Sequence, residues 1–151
     1  VSKKLAQDIV RDGEGVTKFV TVAVNGTATD SEARQIANTI ATSPLVKTAF
    51  YGNDANWGRI IAAAGRAGVN FDPAKIQLKV TLGVDETLTG APLLLVFDGT
   101  PCDYSEAMAT DIVSASEFTY TLTVGSGQGS ATIWTCDISH DYVSINAEYR
   151  T

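Results

Sequence analysis

The feature that most constrains the fold is a set of short segments with the residue pattern of β-strands. Segments 76–84 and 118–124 alternate apolar or aromatic residues with polar ones. This period of two is typical of a strand with one face buried. Segment 19–24 is apolar except for Thr21, segment 93–97 is continuously apolar, and 131–138 is again strand-like. These segments predict a sheet whose buried face must be covered by another layer.

The covering layer is predicted to be helical. Thr29 and Glu32 have the spacing of a capping box, in which each side chain accepts a hydrogen bond from the other residue's backbone N–H. Asn56 is expected to cap a second helix, and another is expected from Ser105. The mixed order of these elements predicts a single α+β domain over 1–151. We expect a mixed β-sheet backed by helices in two layers.

Two connections have less obvious conformations. After Ser43 and Pro44, which can start a helical turn, we expect a brief strand near 48–51. The glycine-rich segment 125–130 resembles a phosphate-binding loop by composition only, since such a loop joins a strand to a helix. Here both flanking segments are strand-like, so we expect a hairpin.

The composition and net charge of the chain indicate which classes of binding partner suit it poorly. The 151 residues are 44% hydrophobic and carry a net charge of -6, which suits one soluble domain. Nucleic acids and anionic membranes bind clusters of Lys and Arg, so this charge argues against both. The apolar run 92–97 is too short to cross a bilayer, and segment 1–8 lacks the order of a signal peptide.

The two cysteines, Cys102 and Cys136, lie far apart in the sequence and have no metal-type companions. With a single His and no Cys-x-x-Cys motif, the sequence argues against a zinc site. We expect two buried thiols in a reducing compartment, and a disulfide between them is the alternative.

Two stretches offer polar groups to a ligand. Glu14 lies between Gly13 and Gly15, which predicts an exposed carboxylate that a ligand can approach. Segment 134–151 holds His140, Asn146, Arg150 and the terminal carboxylate of Thr151, among apolar residues spaced to anchor it to a core. The alternatives are a plain helix end with a solvated Glu and a docked tail whose polar groups satisfy one another.

The sequence contains no convincing nucleophile. Ser139, His140 and the neighbouring Asp137 or Asp141 have the residue types of a hydrolytic triad. Residues adjacent in a strand point to opposite faces, however, so these side chains do not converge. A Gly-x-Ser-x-Gly elbow is also missing from the sequence.

Four blocks of the sequence resemble one family. They are VRDGEGVTKF at 10–19, SPLVKTA at 43–49, NDANWGR at 53–59 and WTCDISHDYVSINAEYRT at 134–151. In this order they resemble the ornithine acetyltransferase family, also called glutamate N-acetyltransferases or bifunctional ArgJ proteins. The match is specific because four separate blocks together extend over most of the chain.

The resemblance implies an enzyme made from a self-cleaving precursor. The β chain begins with a nucleophilic threonine that moves an acetyl group from N-acetylornithine to glutamate through an acyl-enzyme. This chain resembles the C-terminal part of the β chain in the DmpA/ArgJ-like fold, so we expect the nucleophile outside it and no catalytic residue within it. The expected partners are the α chain and the rest of the β chain in an α2β2 assembly.

The resemblance also assigns substrate contacts. Glu14, Asn146 and Thr151 match the family's substrate-binding positions, and a carboxylate at Glu14 would suit the ammonium group of ornithine. No metal or cofactor is implied, although acetyl-CoA is a co-substrate in bifunctional members. The expected compartment is the cytoplasm of a bacterium or the mitochondrial matrix of a fungus. Trp57, Arg59 and His140 are interpreted as structural.

Two alternatives belong to other classes. When isolated, the chain could be a non-catalytic domain that binds a small molecule or supports assembly. Hydrolysis is the third possibility, because a related architecture with an N-terminal nucleophile serves aminopeptidases. Those enzymes lack the four blocks, which favours acetyl transfer.

Overall fold

The computed structural model describes residues 1–148, with Glu86 described by its backbone alone. Its α-helices are α1 (Ser2–Arg11), α2 (Asp30–Ala41), α3 (Pro44–Tyr51), α4 (Trp57–Gly65), α5 (Glu106–Ser114) and α6 (His140–Glu148). Its strands are β1 (Phe19–Thr27), β2 (Gln77–Leu82), β3 (Thr89–Phe97), β4 (Thr100–Pro101), β5 (Glu117–Thr123) and β6 (Gly129–Cys136). None of these helices is long and apolar enough to span a membrane.

The strands form one mixed sheet in the order β4-β3-β2-β5-β1-β6. Strands β1 and β5 are parallel, and every other neighbouring pair is antiparallel. The predicted α+β class is therefore confirmed. Residues 12–18, between α1 and β1, are called the Glu14 turn. The sheet places β1, which follows this turn, next to β6, which leads into the C-terminal segment.

Helices α2 to α5 cover one face of the sheet and bury the core between them. The capping box of Thr29 and Glu32 forms as predicted, and Asn56 and Ser105 cap α4 and α5 through their side chains. Main members of the core are Val20, Val22, Val24, Ile36, Ile40, Phe50, Ile60, Leu78, Phe118, Tyr120 and Leu122.

The glycine-rich connection after β5 does not form the predicted hairpin. Strands β5 and β6 lie on either side of β1, so this segment crosses the end of β1. The crossing is close: a Cβ on Gly26, whose φ is +87°, would lie 2.2 Å from the Gly125 carbonyl oxygen. The prediction was wrong because strand pairing is set by tertiary structure, which the local pattern does not contain.

The brief strand predicted near 48–51 is helical instead. Ser43 accepts a hydrogen bond from the backbone N–H of Val46, and Pro44 occupies the first turn of α3. The helix buries Val46, Ala49 and Phe50. This spacing of three and four residues is helical, and it outweighs the β-propensity of the aromatic residues.

Helix α1 lies on the opposite face of the sheet, and most of its apolar residues point towards solvent instead of towards the sheet. Its apolar residues Leu5 and Ile9 are 61% and 67% exposed, whereas Gln7 is buried. The Gln7 amide donates to Asp85 at 2.6 Å, and the Arg11 guanidinium pairs with Glu117 at 2.9 Å. Polar contacts therefore attach α1 to the sheet.

The two cysteines lie at opposite ends of the sheet. Cys102 follows the edge strand β4, and Cys136 ends the other edge strand, β6. Strands are about 4.8 Å apart, so these edges are separated by roughly 24 Å, far beyond disulfide range. Both thiols are free, as expected, but they are partly exposed rather than buried.

Tyr120 provides a test of the core. Its ring packs on Phe50 and Phe118, and its buried hydroxyl donates to the Ala55 carbonyl at 2.7 Å. Tyr120→Phe leaves that buried carbonyl without its donor, so we expect a loss of about 1–3 kcal/mol in the free energy of unfolding, measured with urea. Tyr51→Phe removes a hydroxyl from a partly exposed ring and should change it by less than about 0.5 kcal/mol. Equal losses would contradict this role of the buried hydrogen bond.

Candidate functional site

The pairing of β1 with β6 brings the Glu14 turn and the C-terminal segment together. Phe19 at the start of β1 is paired with Cys136 at the end of β6. Because the strands are antiparallel, the residues just before β1 and those just after β6 leave the sheet at the same end of this pair. Lys18 and Asp137 consequently meet there.

Asp137 joins the two segments through its carboxylate. The residue is only 2% exposed. Its Oδ1 accepts hydrogen bonds from the backbone N–H groups of Thr17, at 2.9 Å, and Lys18, at 3.0 Å. Its Oδ2 accepts one from the Thr17 hydroxyl. A buried carboxylate is stable only when its oxygens are satisfied in this way.

Ser139 adds a second connection two residues later. Its hydroxyl donates to the Gly15 carbonyl and accepts from the Tyr142 N–H at 3.0 Å, which caps the start of α6. Gly15 has a φ of +71°, and a Cβ there would lie 2.6 Å from the Tyr142 nitrogen. Only glycine therefore lets the turn pack this closely on the first turn of α6.

Glu14 precedes Gly15 and is exposed beside the start of α6, as the sequence predicts. Within residues 1–148 its carboxylate makes no hydrogen bond and no ion pair. Asp137 and Glu117, by contrast, are engaged by neighbours. Within these residues the Glu14 carboxylate, like that of the exposed Asp12, can accept from a cationic group.

Asn146 lies on α6, four residues after Tyr142 and on the same side of the helix. This spacing puts it about 6 Å further along the helix axis than the residue that touches Gly15. Its amide donates to the Tyr142 carbonyl at 2.8 Å, and the residue is exposed. Thr151, the third predicted contact, and Arg150 lie outside the described residues.

The apolar side chains expected to anchor the C-terminal segment are half-buried at Trp134, Ile138 and Ile145 and exposed at Tyr142 and Val143, and Tyr149 lies outside the described residues. Tyr142 and Val143 are 43% and 55% exposed, and no described residue of α6 is buried. Polar groups also hold the segment: Asp137, Ser139 and the Ile138 N–H, which donates to the Lys47 carbonyl at 3.2 Å. Helix α6 itself was not predicted, although the cap Ser139 before spaced apolar residues was a usable signal.

Lys18, the last residue before β1, is buried. Its ammonium group donates to the Asn53 side chain and to the Val113 carbonyl. Burial lowers the pKa of Lys18 from its ordinary value, and the negative charge of Asp137 opposes part of that shift. This lysine therefore connects the start of β1 to the interior rather than to a ligand.

The remaining conspicuous residues make structural contacts. The His140 ring packs edge-to-face on Tyr51, with ring centroids 5.7 Å apart. The Arg59 guanidinium donates to the Leu45 carbonyl at 2.9 Å, and Trp57 packs against the core. These contacts agree with the interpretation of all three residues as structural.

Residues 137–141 do not form a hydrolytic triad. The Ser139 hydroxyl is bonded to backbone groups, the His140 ring contacts Tyr51, and Asp137 accepts from Thr17 and Lys18. Over 1–148, no group of His, Cys, Asp and Glu side chains is arranged to hold a metal ion.

Comparisons with known proteins identify the family. The ArgJ family model matches residues 1–151. The chain is 49% identical over 151 residues to the arginine biosynthesis bifunctional protein ArgJ of Chlorobaculum tepidum, matching all of this chain and 35% of that protein. It is 47% identical over 157 residues to the mitochondrial protein of the same name from Fusarium vanettenii, matching 99% of this chain and 35% of that protein.

The fold is also that of a solved relative. The crystal structure of the arginine biosynthesis bifunctional protein ArgJ from Bacillus halodurans matches with a TM-score of 0.86 at 38% identity. The match covers 97% of this chain and 65% of that one. The chain spans about a third of the length of the curated relatives it matches. On the family match and these identities, the chain belongs to the ArgJ family.

Proposed function

We propose that this chain is the substrate-contacting part of an acetyltransferase that moves an acetyl group from N-acetylornithine to glutamate. The observation that carries the proposal is the exposed Glu14 carboxylate, packed through Gly15 against the helix that bears Asn146. The names of the relatives, which refer to bifunctional proteins of arginine biosynthesis, support the same activity.

Glu14 and Asn146 have complementary roles in this proposal. The Glu14 carboxylate receives charge-assisted hydrogen bonds from the side-chain ammonium of N-acetylornithine. The Asn146 amide can donate to the substrate carboxylate and accept from an amine. Thr151, which lies outside the described residues, is proposed as the third contact.

The chemistry is proposed to occur on a group outside this chain. A threonine hydroxyl attacks the acetyl carbonyl of N-acetylornithine, forms an acetyl ester and releases ornithine as the free amine. The glutamate amine then attacks the ester, forms N-acetylglutamate and regenerates the hydroxyl. The threonine begins the β chain of an α2β2 assembly, and acetyl-CoA is an alternative acetyl donor. The proposed compartment is the bacterial cytoplasm or, as the names of fungal relatives suggest, the mitochondrion.

Glu14→Gln in the complete protein tests the ammonium contact. We expect the KM for N-acetylornithine to rise on the order of tenfold to a hundredfold, because a charge-assisted hydrogen bond is lost, with little change in kcat. N-acetylnorvaline, which lacks only the terminal ammonium, should be turned over equally poorly by both proteins. Initial rates with each donor give the comparison.

Asp12→Asn is the matched control for this substitution. It neutralises another exposed carboxylate two residues earlier, and it should leave both KM values unchanged. An unchanged preference for N-acetylornithine over N-acetylnorvaline in Glu14→Gln would refute the proposed contact.

Asn146→Ala tests the contact from α6. We expect the KM for N-acetylornithine or for glutamate to rise about tenfold, since one neutral hydrogen-bonding group is removed from an exposed site. Ser144→Ala, on another side of the same exposed helix, should have no effect. Kinetics that match the unmodified protein in Asn146→Ala would remove this residue from the site.

The position of the nucleophile can be tested directly by mass spectrometry. The complete protein, mixed with N-acetylornithine and quenched in acid, should gain the mass of one acetyl group on a peptide outside residues 1–151. Ornithine, which has no acetyl group, should give no adduct. An acetyl ester on a residue of this chain would overturn this part of the proposal.

A further inference from the structure

We propose that Asp137 is a positioning residue, which holds the Glu14 turn against α6 and so fixes the distance between the two sets of substrate contacts. The inference rests on the proposed function, because it assigns Asp137 a role in the same site. The sequence pattern does not indicate this role for Asp137. In the structure the residue is only 2% exposed, so it offers almost no surface to a ligand.

The first step of the argument is that α6 has little else to hold it. No described residue of α6 is buried, so burial of apolar surface contributes little to its position. Tyr142 and Val143 are 43% and 55% exposed, and Ile145 is half-buried. Apart from the packing of the His140 ring on Tyr51, the position of the helix therefore depends mainly on the polar contacts made by residues 137–139.

The second step is that the contacts of Asp137 and Ser139 end on the Glu14 turn, whereas the Ile138 N–H donates to Lys47 of α3. Asp137 accepts from Thr17 and Lys18, and Ser139 donates to Gly15. These partners lie within four residues after Glu14. One short segment is thus fixed at several points, and the backbone that carries Glu14 is held beside α6.

The third step is that two substitutions of Asp137 separate its hydrogen bonds, which hold the turn in position, from its negative charge. Burial lowers the pKa of Lys18, and the negative charge of Asp137 opposes part of that lowering. Asp137→Asn removes this charge, but its carbonyl oxygen can still accept from the Thr17 and Lys18 N–H groups. The Thr17 hydroxyl can reverse and accept from the new amide. The Asn variant therefore preserves the connection, whereas Asp137→Ala removes it.

The experiment uses the complete protein and steady-state kinetics with N-acetylornithine. Asp137→Ala and the milder Ser139→Ala should raise KM on the order of tenfold or more with a smaller effect on kcat, since the substrate contacts are displaced. Asp137→Asn should stay within about threefold of the unmodified protein. Tyr120→Phe, which weakens the core elsewhere, should leave KM unchanged although the protein is less stable.

Double variants with Glu14→Gln provide the sharpest test. If Asp137 acts partly through Glu14, adding Asp137→Ala or Ser139→Ala to Glu14→Gln should raise KM by a smaller factor than the same substitution does in the unmodified protein. A purely structural role would give multiplied effects instead. Ser139→Ala keeps the test decisive if Asp137→Ala does not fold.

The outcomes distinguish the two proposals. Glu14→Gln without effect on KM would overturn the proposed function, and the positioning role with it. If Glu14→Gln has the expected effect, two results would overturn the positioning role alone. One is that the effects on KM multiply in the double variants. The other is that KM is unchanged in both Ser139→Ala and Asp137→Ala. Poor rescue by Asp137→Asn would also overturn it and would favour a role for the charge.

Discussion

The interaction on which the site depends is the buried carboxylate of Asp137 at the open end of the β1–β6 pair. A carboxylate that is removed from water must be fully hydrogen-bonded, and here the donors come from the segment that follows Glu14. This requirement couples two parts of the chain that are more than a hundred residues apart. An apolar anchor would bury surface equally well, but it would specify their relative position less sharply.

Lys18 extends the same network into the interior. Its backbone N–H is bound by Asp137, and its ammonium reaches Asn53 and the end of α5 at Val113. Asn53 has a φ of +56°, a conformation that Asn tolerates better than most residues. The loop before α4 is therefore tied to the first residue before β1. The Glu14 turn is therefore held by the buried polar contacts of Lys18 and by the packing of Gly15 against α6.

The sequence predicts what depends on local pattern and misses what depends on distant pairing. The capping box of Thr29 and the exposure of Glu14 follow from neighbouring residues, and both are as predicted. The crossing of β1 by the segment after β5 depends on which strands pair, so the hairpin prediction failed. The proximity of Glu14 to α6 was not predicted from the residues for the same reason. The burial of Lys18 and Asp137 was not predicted either, because charged residues are usually exposed and only tertiary structure supplies their partners.

The Asp-Gly-Glu-Gly motif shows how one short segment serves structure and chemistry through different residues. Gly15 is required by its positive φ and by its contact with the Tyr142 backbone, where any Cβ would clash. Neither reason involves a ligand. Glu14 has the opposite character, because its carboxylate is exposed and supports nothing within residues 1–148. A residue that is costly to change because of packing therefore lies directly beside one that is free to bind. The packing of Gly15 on α6 fixes the backbone next to Glu14, so the binding proposed for Glu14 depends on a neighbour whose own role is packing.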